Sequence, residues 1–332
     1  MEALVYHAKG GLANRLRAFV GYRTLAQRLN LPFLMHWELN GACGEEFHSL
    51  FERDGFEDLE FISAERMHAA AMAGAKVLSA GIWFSDIWRR HAADAFEQAT
   101  FYRDAASALH SLRPVPSILE RIEHFANAHA LEECTGVHIR MTDNLRAYDW
   151  WAKNEPDFDP ANVSQLEGFK RFLAASEQTG ERVFLCTDNA AVSQDLLALR
   201  PNVFIYEKDY DERGLNHYLR RAKGELTIVD RMSRRLRRLV DGKRERERSW
   251  RTTPIADAVV DLFLLSRCAN VVGTYYSSFA PVAALIGMRP MRVMRGVDAV
   301  EHEAVREMQG VLAGNSASDA DVRSPPAGTG ST

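Results

Sequence analysis

The sequence is poor in cysteine, has no long apolar run and carries little net charge. Its 332 residues have a formal net charge of -4 and four cysteines, Cys43, Cys134, Cys186 and Cys268, none in a CxxC spacing. This pattern argues against a disulfide scaffold or zinc framework and predicts free, buried thiols in a reducing compartment. No apolar run reaches the roughly 18 residues of a membrane-spanning helix, and the first residues show no secretory pattern. We therefore expect a cytoplasmic protein whose main partner is not nucleic acid.

The composition and length that remain are those of a two-domain globular protein. The chain is 46% apolar and 26% charged, which is typical of globular proteins. Short β-rich segments such as ALVYHA and LPFLMHW alternate with amphipathic helical segments, as in a parallel α/β sheet. We predict an α/β fold with one domain over 1–125, a second over 126–312 and a polar, disordered tail over 313–332.

Four polar clusters follow apolar strands, and three of them directly precede a helix. They are KGGLANR, HIRMTDN, CTDN and GTYYSSF. In an open α/β sheet, ligands bind outside the carboxyl ends of the strands. Because a helix N-terminus offers free N–H groups to an anion, the four clusters together predict a site for a nucleotide diphosphate.

Individual residues in these clusters have the chemistry that such a ligand needs. Gly10 and Gly11 let the backbone approach the ligand closely, and Arg140 can grip a phosphate with two parallel hydrogen bonds. Ser277 and Ser278 stand where a helix begins and suit a second phosphate oxygen. Each feature also has a simpler explanation, since two glycines suit any βα turn and serines suit helix caps.

The guanine base has a candidate partner in Asp188, because a carboxylate accepts hydrogen bonds from the N1–H and N2–H₂ donors of guanine. Asp188 and Asn189 equally suit capping of the following helix. His138 alternates with Val137 and Ile139 along its strand, so it is either a ligand group or a histidine satisfied within the sheet. Only the joint placement of the clusters at strand ends favours the functional interpretation.

The order of these motifs resembles that of the GDP-fucose-dependent fucosyltransferases. GGLANRLRAF, GVHIRMTDN, VFLCTDN and DLFLLSRCANVVGTYYSSFA are similar to motifs of the α1,6 group, which includes the bacterial nodulation enzymes, and protein O-fucosyltransferases share the order. The resemblance spans residues 5–290. It implies a GT-B fold, with two Rossmann-like domains facing each other across a cleft. It also implies an inverting transfer of fucose from GDP-fucose to a hydroxyl of a glycan or related acceptor, without a metal or other cofactor.

The resemblance also assigns roles by position. His138 would hold the nucleotide, Arg140 would neutralise the β-phosphate of the leaving GDP, and Asp188 would contact guanine. The glycine-loop asparagine that the O-fucosyltransferases share falls on Asn14, and Arg15 follows it. The candidate donor-binding set is therefore Gly10, Gly11, Asn14, Arg15, His138, Arg140, Asp188, Asn189, Ser277 and Ser278.

The sequence departs from the family pattern at the diphosphate and at the catalytic base. Met141 stands where the α1,6 group has a second arginine, so either the diphosphate is held with less charge or another cation replaces that arginine. Tyr148 stands where the core enzyme has its glutamate base. We take Asp149, one residue on, as the first candidate for the base and Asp143 as the second, although either carboxylate also suits a solvent-exposed loop. The candidates for the missing cation are Arg15, Arg146 and Arg251.

Two further segments bear on the acceptor. Residues 220–251 are strongly basic, which suits either a solvated helix face or an electrostatic arm for an anionic or lipid-linked acceptor at the inner membrane. Trp150 and Trp151 suit either a lid that stacks on the acceptor sugar or a core position. Two rival functions remain: a transferase for another nucleotide sugar, and a basic polyanion-binding module led by residues 220–251.

Overall fold

Strands and helices alternate along the first part of the chain. The structure, a computed structural model, describes residues 3–79, 81–140, 158–210 and 252–321, with side chains as far as residue 313. The elements of the first part are β1 (Leu4–Ala8), α1 (Leu12–Arg28), β2 (Phe33–Trp37), α2 (Phe47–Leu50), β3 (Glu60–Phe61), α3 (Ala64–Met72), β4 (Lys76–Leu78), α4 (Phe84–His91), α5 (Gln98–His110) and α6 (Pro116–His129).

The same alternation continues in the second part. Its elements are β5 (Thr135–Ile139), α7 (Leu166–Gln178), β6 (Val183–Thr187), α8 (Ala190–Leu199), β7 (Val203–Ile205), α9 (Ile255–Arg267), β8 (Asn270–Thr274), α10 (Phe279–Gly287), β9 (Met291–Arg295), β10 (Asp298–Glu301) and α11 (Glu303–Asp321). Helix α11 runs into the range predicted as a disordered tail, and residues 322–332 lie outside the described residues.

The described strands form two sheets. The first has the order β3-β2-β1-β4, and all of its neighbouring strands are parallel. The second has the order β10-β9-β8-β5-β6-β7, and only β10 is antiparallel to its neighbour. The predicted α/β fold with two mainly parallel sheets is therefore confirmed.

Each sheet has one place where the strand order reverses direction. In the first sheet β1 is followed by β2 on one side, and β4 is added later on the other side. In the second sheet β5 is followed by β6 on one side, and β8 is added on the other. At such a switch point the two connections leave in opposite directions, so a crevice opens at the carboxyl ends of the central strands. The residues that follow β1, β4, β5 and β8 are therefore placed to meet a ligand.

Burial explains why the central strands are so apolar. All five positions of β5 and of β6 are buried, because helices cover both faces of a parallel sheet. One apolar cluster extends from the first sheet through α1 and α5 to α9 and α10, and a smaller one fills the other face of the second sheet. The two halves thus share a continuous core.

Helix α10 belongs to the second sheet but also packs against α1 and α5 of the first half. The ring of His110, at the end of α5, makes a 2.9 Å hydrogen bond through Nε2 to the carbonyl oxygen of Leu285 in α10. Helix α6 packs against α9, and the predicted boundary between residues 125 and 126 falls within α6. The division into domains stays a prediction, but the contacts hold the two switch points at a fixed separation.

Gly273 of β8 permits the close approach of α10, because a Cβ at this position would lie 2.5 Å from the Ala280 Cβ. We expect Gly273→Ala to lower the free energy of unfolding by about 1–3 kcal/mol through overpacking, measured by urea denaturation. The matched control is Gly310→Ala in α11, where a Cβ would meet nothing within 4 Å. That change should be neutral or stabilise by up to about 1 kcal/mol. Equal stability of the two variants would contradict the packing argument.

Candidate functional site

The two switch points open into one cleft with a volume of about 920 Å³. Its wall on the side of the first sheet includes Lys9, Gly10, Gly11, Asn14, Arg17, Gly81 and Trp83. Its wall on the side of the second sheet includes His138, Arg140, Thr187, Asp188, Asp261, Thr274, Tyr276, Ser277 and Ser278. Eight of the ten predicted donor-binding residues therefore line a single cleft, and Arg15 and Asn189 do not.

The glycine loop lies against the side chain of Asn14. A Cβ at Gly10 would lie 3.4 Å from the Asn14 Cβ, and a Cβ at Gly81 would lie 3.0 Å from it. Gly11 is the N-cap of α1 and has no side chain to cap the helix. The small residues after β1 and β4 thus bring two stretches of backbone close together around Asn14, at the mouth of the cleft.

Arg15 lies behind this loop and not in the cleft, which corrects the prediction that it contacts the donor. Its side chain is fully buried, and it donates from Nε to the Gly10 carbonyl at 2.5 Å and from Nη1 to the Glu38 carbonyl at 2.7 Å. Nη2 donates to Asn40 Oδ1 at 3.2 Å. Because its donors are used within the protein, Arg15 fixes the shape of the glycine loop and is no replacement for a phosphate-binding cation.

Arg17, two residues further along α1, is the cleft cation that the sequence did not reveal. Its guanidinium lies 4.4 Å from the centre of the Trp83 ring and donates from Nη2 to the carbonyl of Gly81. Its Nε is buried without a hydrogen-bond partner, and within the described part of the chain it forms no ion pair. Burial lowers the pKa of Arg17 to about 10, so the group keeps its charge at neutral pH. A half-buried cation without an ion pair is costly unless an anionic ligand faces it.

Thr274 ties together the two central strands of the second sheet. Its hydroxyl accepts a hydrogen bond from the Arg140 backbone N–H at 2.9 Å and donates to the His138 carbonyl at 3.2 Å. His138 lies in β5, Arg140 directly follows β5, and Thr274 is the last residue of β8. The hydroxyl therefore fixes the backbone from which the half-buried Arg140 side chain enters the cleft.

His138 forms part of the cleft floor. It is buried, and its ring stacks on Phe279 at a centroid distance of 4.8 Å. Burial, with smaller contributions from the charges of Arg140 and Lys208, lowers its pKa to about 3. The imidazole is therefore neutral, and its Nδ1 has no hydrogen-bond partner among the described residues. His138 therefore lines the cleft with one ring nitrogen that the sheet does not satisfy, and its role as a ligand group stays a prediction.

The turn between β8 and α10 presents a helix N-terminus to the cleft. Tyr276 has a φ of 57°, a left-handed conformation that costs energy for a non-glycine residue and is often found at functional sites. Ser278 is the N-cap of α10, but its side chain makes no capping bond. Ser277 and Ser278 are only partly buried in the cleft wall. The Ser277 N–H donates to the Thr274 carbonyl at 3.2 Å and the Phe279 N–H donates to Ser277 Oγ at 3.4 Å, so the serine hydroxyls are the groups of this turn best placed to meet an anion.

Asp188 and Asn189 follow β6 but have different surroundings. Asp188 lines the cleft, and its carbonyl accepts a 2.6 Å hydrogen bond from the Thr252 hydroxyl. The Asn189 side chain accepts from the Val192 N–H at 3.0 Å and caps α8. Helix capping, one of the two explanations for Asn189, is therefore what the structure shows.

Asp261 of α9 is a second cleft residue that sequence reasoning missed. It is buried and forms an ion pair with the buried Lys208. Burial alone would lower the pKa of Lys208, but the charges and hydrogen bond of its neighbours, chiefly the Asp261 carboxylate, raise it above the ordinary value. The second carboxylate oxygen of Asp261, Oδ1, accepts no hydrogen bond from a described N–H or O–H group. A single acidic residue within the apolar run VVDLFLL was the available signal, because a buried carboxylate needs a partner.

Several predicted residues lie outside the described residues. They are Met141, Asp143, Arg146, Tyr148, Asp149, Trp150, Trp151, Arg251 and the rest of the basic segment from residue 220.

Comparison with solved structures finds fucosyltransferases. FUT1 of Arabidopsis thaliana, a mutant in complex with GDP, matches with a TM-score of 0.51 and 10% identity over 90% of this chain and 71% of that chain. NodZ from Bradyrhizobium has a TM-score of 0.48 and 18% identity over 88% and 95% of the two chains. POFUT1 in complex with GDP-fucose has a TM-score of 0.48 and 12% identity over 88% and 98%. No protein-family model and no curated protein sequence matches the chain. The likeness to FUT1 confirms the predicted GT-B-like fold.

The low pKa of His138 predicts a pH-dependent loss of stability. The pKa of His138 in the folded protein, about 3, lies below its ordinary value of 6.5. Between these two pH values the unfolded chain is protonated at His138 and the folded protein is not. The stability that is present above pH 6.5 is therefore lost as the pH falls towards 3. Between pH 7 and pH 5 this contribution amounts to about 2 kcal/mol. We expect His138→Gln to lose correspondingly less stability than the wild type over that interval in urea titrations. His124→Gln, at an exposed histidine, should behave as the wild type, and parallel curves for all three proteins would contradict the assignment.

Proposed function

We propose that the protein is a glycosyltransferase that binds GDP-fucose in this cleft and transfers fucose to a hydroxyl of a glycan or related acceptor. The observation that carries the proposal is that the switch points of both sheets open into one cleft in which Arg17, Arg140 and the N-terminus of α10 meet. The GDP bound by FUT1, which has the same fold, supports this choice of ligand. The motif resemblance supports fucose as the sugar.

The diphosphate would bind between the two walls. Arg140 suits bidentate contact with the phosphate that leaves with GDP, and the N-terminus of α10 adds the hydroxyls of Ser277 and Ser278 and the helix dipole. Arg17 approaches from the opposite wall and supplies the charge that the arginine replaced by Met141 would have carried. Its unpaired guanidinium makes it a stronger candidate than Arg15, whose donors are already used.

The guanine would bind deeper on the side of the second sheet. Its N1–H and N2–H₂ groups need carboxylate or carbonyl acceptors, and Asp188 and Asp261 both line this side of the cleft. The neutral His138 offers one donor and one acceptor nitrogen in the same region. A uracil ring has no exocyclic amino group, so a site built around these acceptors favours GDP over UDP.

The chemistry requires stabilisation of the charge that develops on GDP as the sugar C1–O bond stretches. Preorganised donors directed at such a charge typically contribute about 100-fold or more each to the rate. A carboxylate would assist attack by the acceptor hydroxyl from the opposite face of the sugar. Asp149 is our first candidate for that role and Asp143 the second.

The acceptor in this proposal is anionic or lipid-linked and binds near residues 220–251, and the protein is cytoplasmic or peripheral at the membrane. No described helix is long and apolar enough to cross a membrane.

Nucleotide specificity tests the proposal directly. We expect GDP and GDP-fucose to raise the melting temperature clearly more than UDP or ADP at equal concentration, because, of these bases, guanine alone presents both an N1–H and an N2–H₂ donor to the carboxylates of Asp188 and Asp261. Asp261→Asn should reduce the preference for GDP over UDP. Stabilisation by UDP or ADP equal to that by GDP would contradict a guanine site, and stabilisation by UDP alone would favour a transferase for another nucleotide sugar.

Removal of each cation should weaken diphosphate binding without affecting the base. We expect Arg140→Ala and Arg17→Ala to lower GDP affinity by about 10- to 100-fold, the value of a lost charge-assisted hydrogen bond, and to leave the weak binding of guanosine unchanged. Calorimetry measures both ligands, and Arg140→Ala should also abolish most fucosyl transfer.

A surface arginine serves as the control for these two variants. Arg89, on the exposed face of α4, is suitable, and Arg89→Ala should bind GDP as the wild type does. An Arg17→Ala protein with unchanged GDP affinity would exclude Arg17 as the replacement cation, and near-normal turnover by Arg140→Ala would exclude its role at the leaving group.

A further inference from the structure

Two histidines and a glutamate lie together at the carboxyl end of β1 and β2, away from the cleft lining. His7 of β1 and His36 of β2 are register partners on parallel strands, and their ring centroids are 5.1 Å apart. Glu38 follows β2 on the same face, two residues after His36, and its Oε2 lies 2.6 Å from His7 Nε2. All three side chains are partly exposed. A cluster that is open to water on one side and fixed to a sheet on the other is suited to take up an ion.

The hydrogen bonds of these residues orient their ligand atoms. His36 Nδ1 lies 3.0 Å from the carbonyl oxygen of Ile62, and because a carbonyl only accepts, Nδ1 carries the proton. Nε2 is therefore the ring nitrogen that can offer a lone pair to an ion. Glu38 Oε1 accepts from Asn40 Nδ2 at 3.1 Å. Backbone and amide partners of this kind fix the orientation of metal ligands in known sites.

We propose that His7, His36 and Glu38 bind a divalent transition-metal ion, with Zn²⁺, Co²⁺ and Ni²⁺ as the fitting class. One ligand atom from each residue can be chosen so that all lie within 4.8 Å of one another. Ligand atoms around tetrahedral zinc are about 3.4 Å apart for bonds of about 2.1 Å, so modest rotations of three half-exposed side chains close the site. Water would fill the remaining positions. Two imidazoles and one carboxylate favour these ions over Mg²⁺ and Ca²⁺, which prefer oxygen ligands.

The ion would stabilise the glycine loop from the side that faces away from the cleft. The Glu38 carbonyl accepts from Arg15 Nη1, and Arg15 Nε donates to the Gly10 carbonyl. Asn40, which holds the Glu38 carboxylate, also donates from Nδ2 to the Lys9 carbonyl at 2.9 Å. The proposed ion is therefore linked through two short paths to the backbone that lines the cleft, although it does not enter the cleft. This inference does not depend on the identity of the ligand in the cleft.

Cobalt binding tests the site without any assay of enzyme activity. The full chain, with any affinity tag removed and dialysed against EDTA, is titrated with Co²⁺ and followed by visible absorption. We expect one equivalent to produce d–d bands, Zn²⁺ to abolish them and Mg²⁺ or Ca²⁺ to leave them unchanged. Zn²⁺ should also raise the melting temperature, because it binds the folded state.

Variants identify the ligands. His36→Ala and Glu38→Gln should lower Co²⁺ affinity at least about 10-fold. Removing a residue that only orients a metal ligand already lowers affinity by about 10-fold or more, and removing a ligand itself should cost no less. His68→Ala and His124→Ala, at exposed histidines elsewhere, should bind as the wild type. Urea midpoints in EDTA check that the variants fold. Absence of a stoichiometric cobalt spectrum from the wild type, or unchanged affinity in His36→Ala, would overturn the proposal and leave a simple His7–Glu38 ion pair.

Discussion

The structure depends on one topological constraint: each parallel sheet has a single switch point, and both switch points open into the same cleft. The residues that directly follow β1 and β4 lie on one side of the cleft and those that follow β5 and β8 lie on the other, although the four strands are far apart in sequence. Helix α10 packs against both halves and fixes the distance between them. A ligand that bridges the cleft is thus held by backbone whose position is set by two buried sheets.

The electrostatics of the cleft follow from that constraint. His138 is buried so completely that it stays neutral, whereas Arg17 keeps its charge although no carboxylate of the described residues pairs with it. Lys208 and Asp261 neutralise each other beside the floor. The cleft therefore holds Arg17 on the side of the first sheet, and Arg140 together with the carboxylates of Asp188 and Asp261 on the side of the second. Under the proposed function, the two arginines would contact the diphosphate and the two carboxylates would contact the guanine.

Much of the fold and part of the site could be predicted from the sequence. Alternating apolar and helical segments indicated two parallel sheets, and polar residues directly after strands indicated the cleft, because the carboxyl ends of parallel strands meet at one edge. Asn189 shows the limit of this approach, since a residue at a strand end can equally cap the next helix. Asp261 was missed because it lies in the middle of an apolar helix, where only the packing of α9 against the sheet brings it to the cleft floor.

The two arginines of α1 show why the rest required coordinates. Arg15 and Arg17 are separated by two residues, which is about 200° around a helix, so one faces the glycine loop and Glu38 while the other faces Trp83 and the cleft. The sequence indicates that a cation near the loop is needed, but only the rotation of α1 about its axis decides which arginine supplies it. The two guanidinium groups also differ in their hydrogen-bond partners. Arg15 has its hydrogen bonds satisfied by carbonyl groups and stabilises the loop, whereas Arg17 has a donor left over and depends on a ligand to satisfy it.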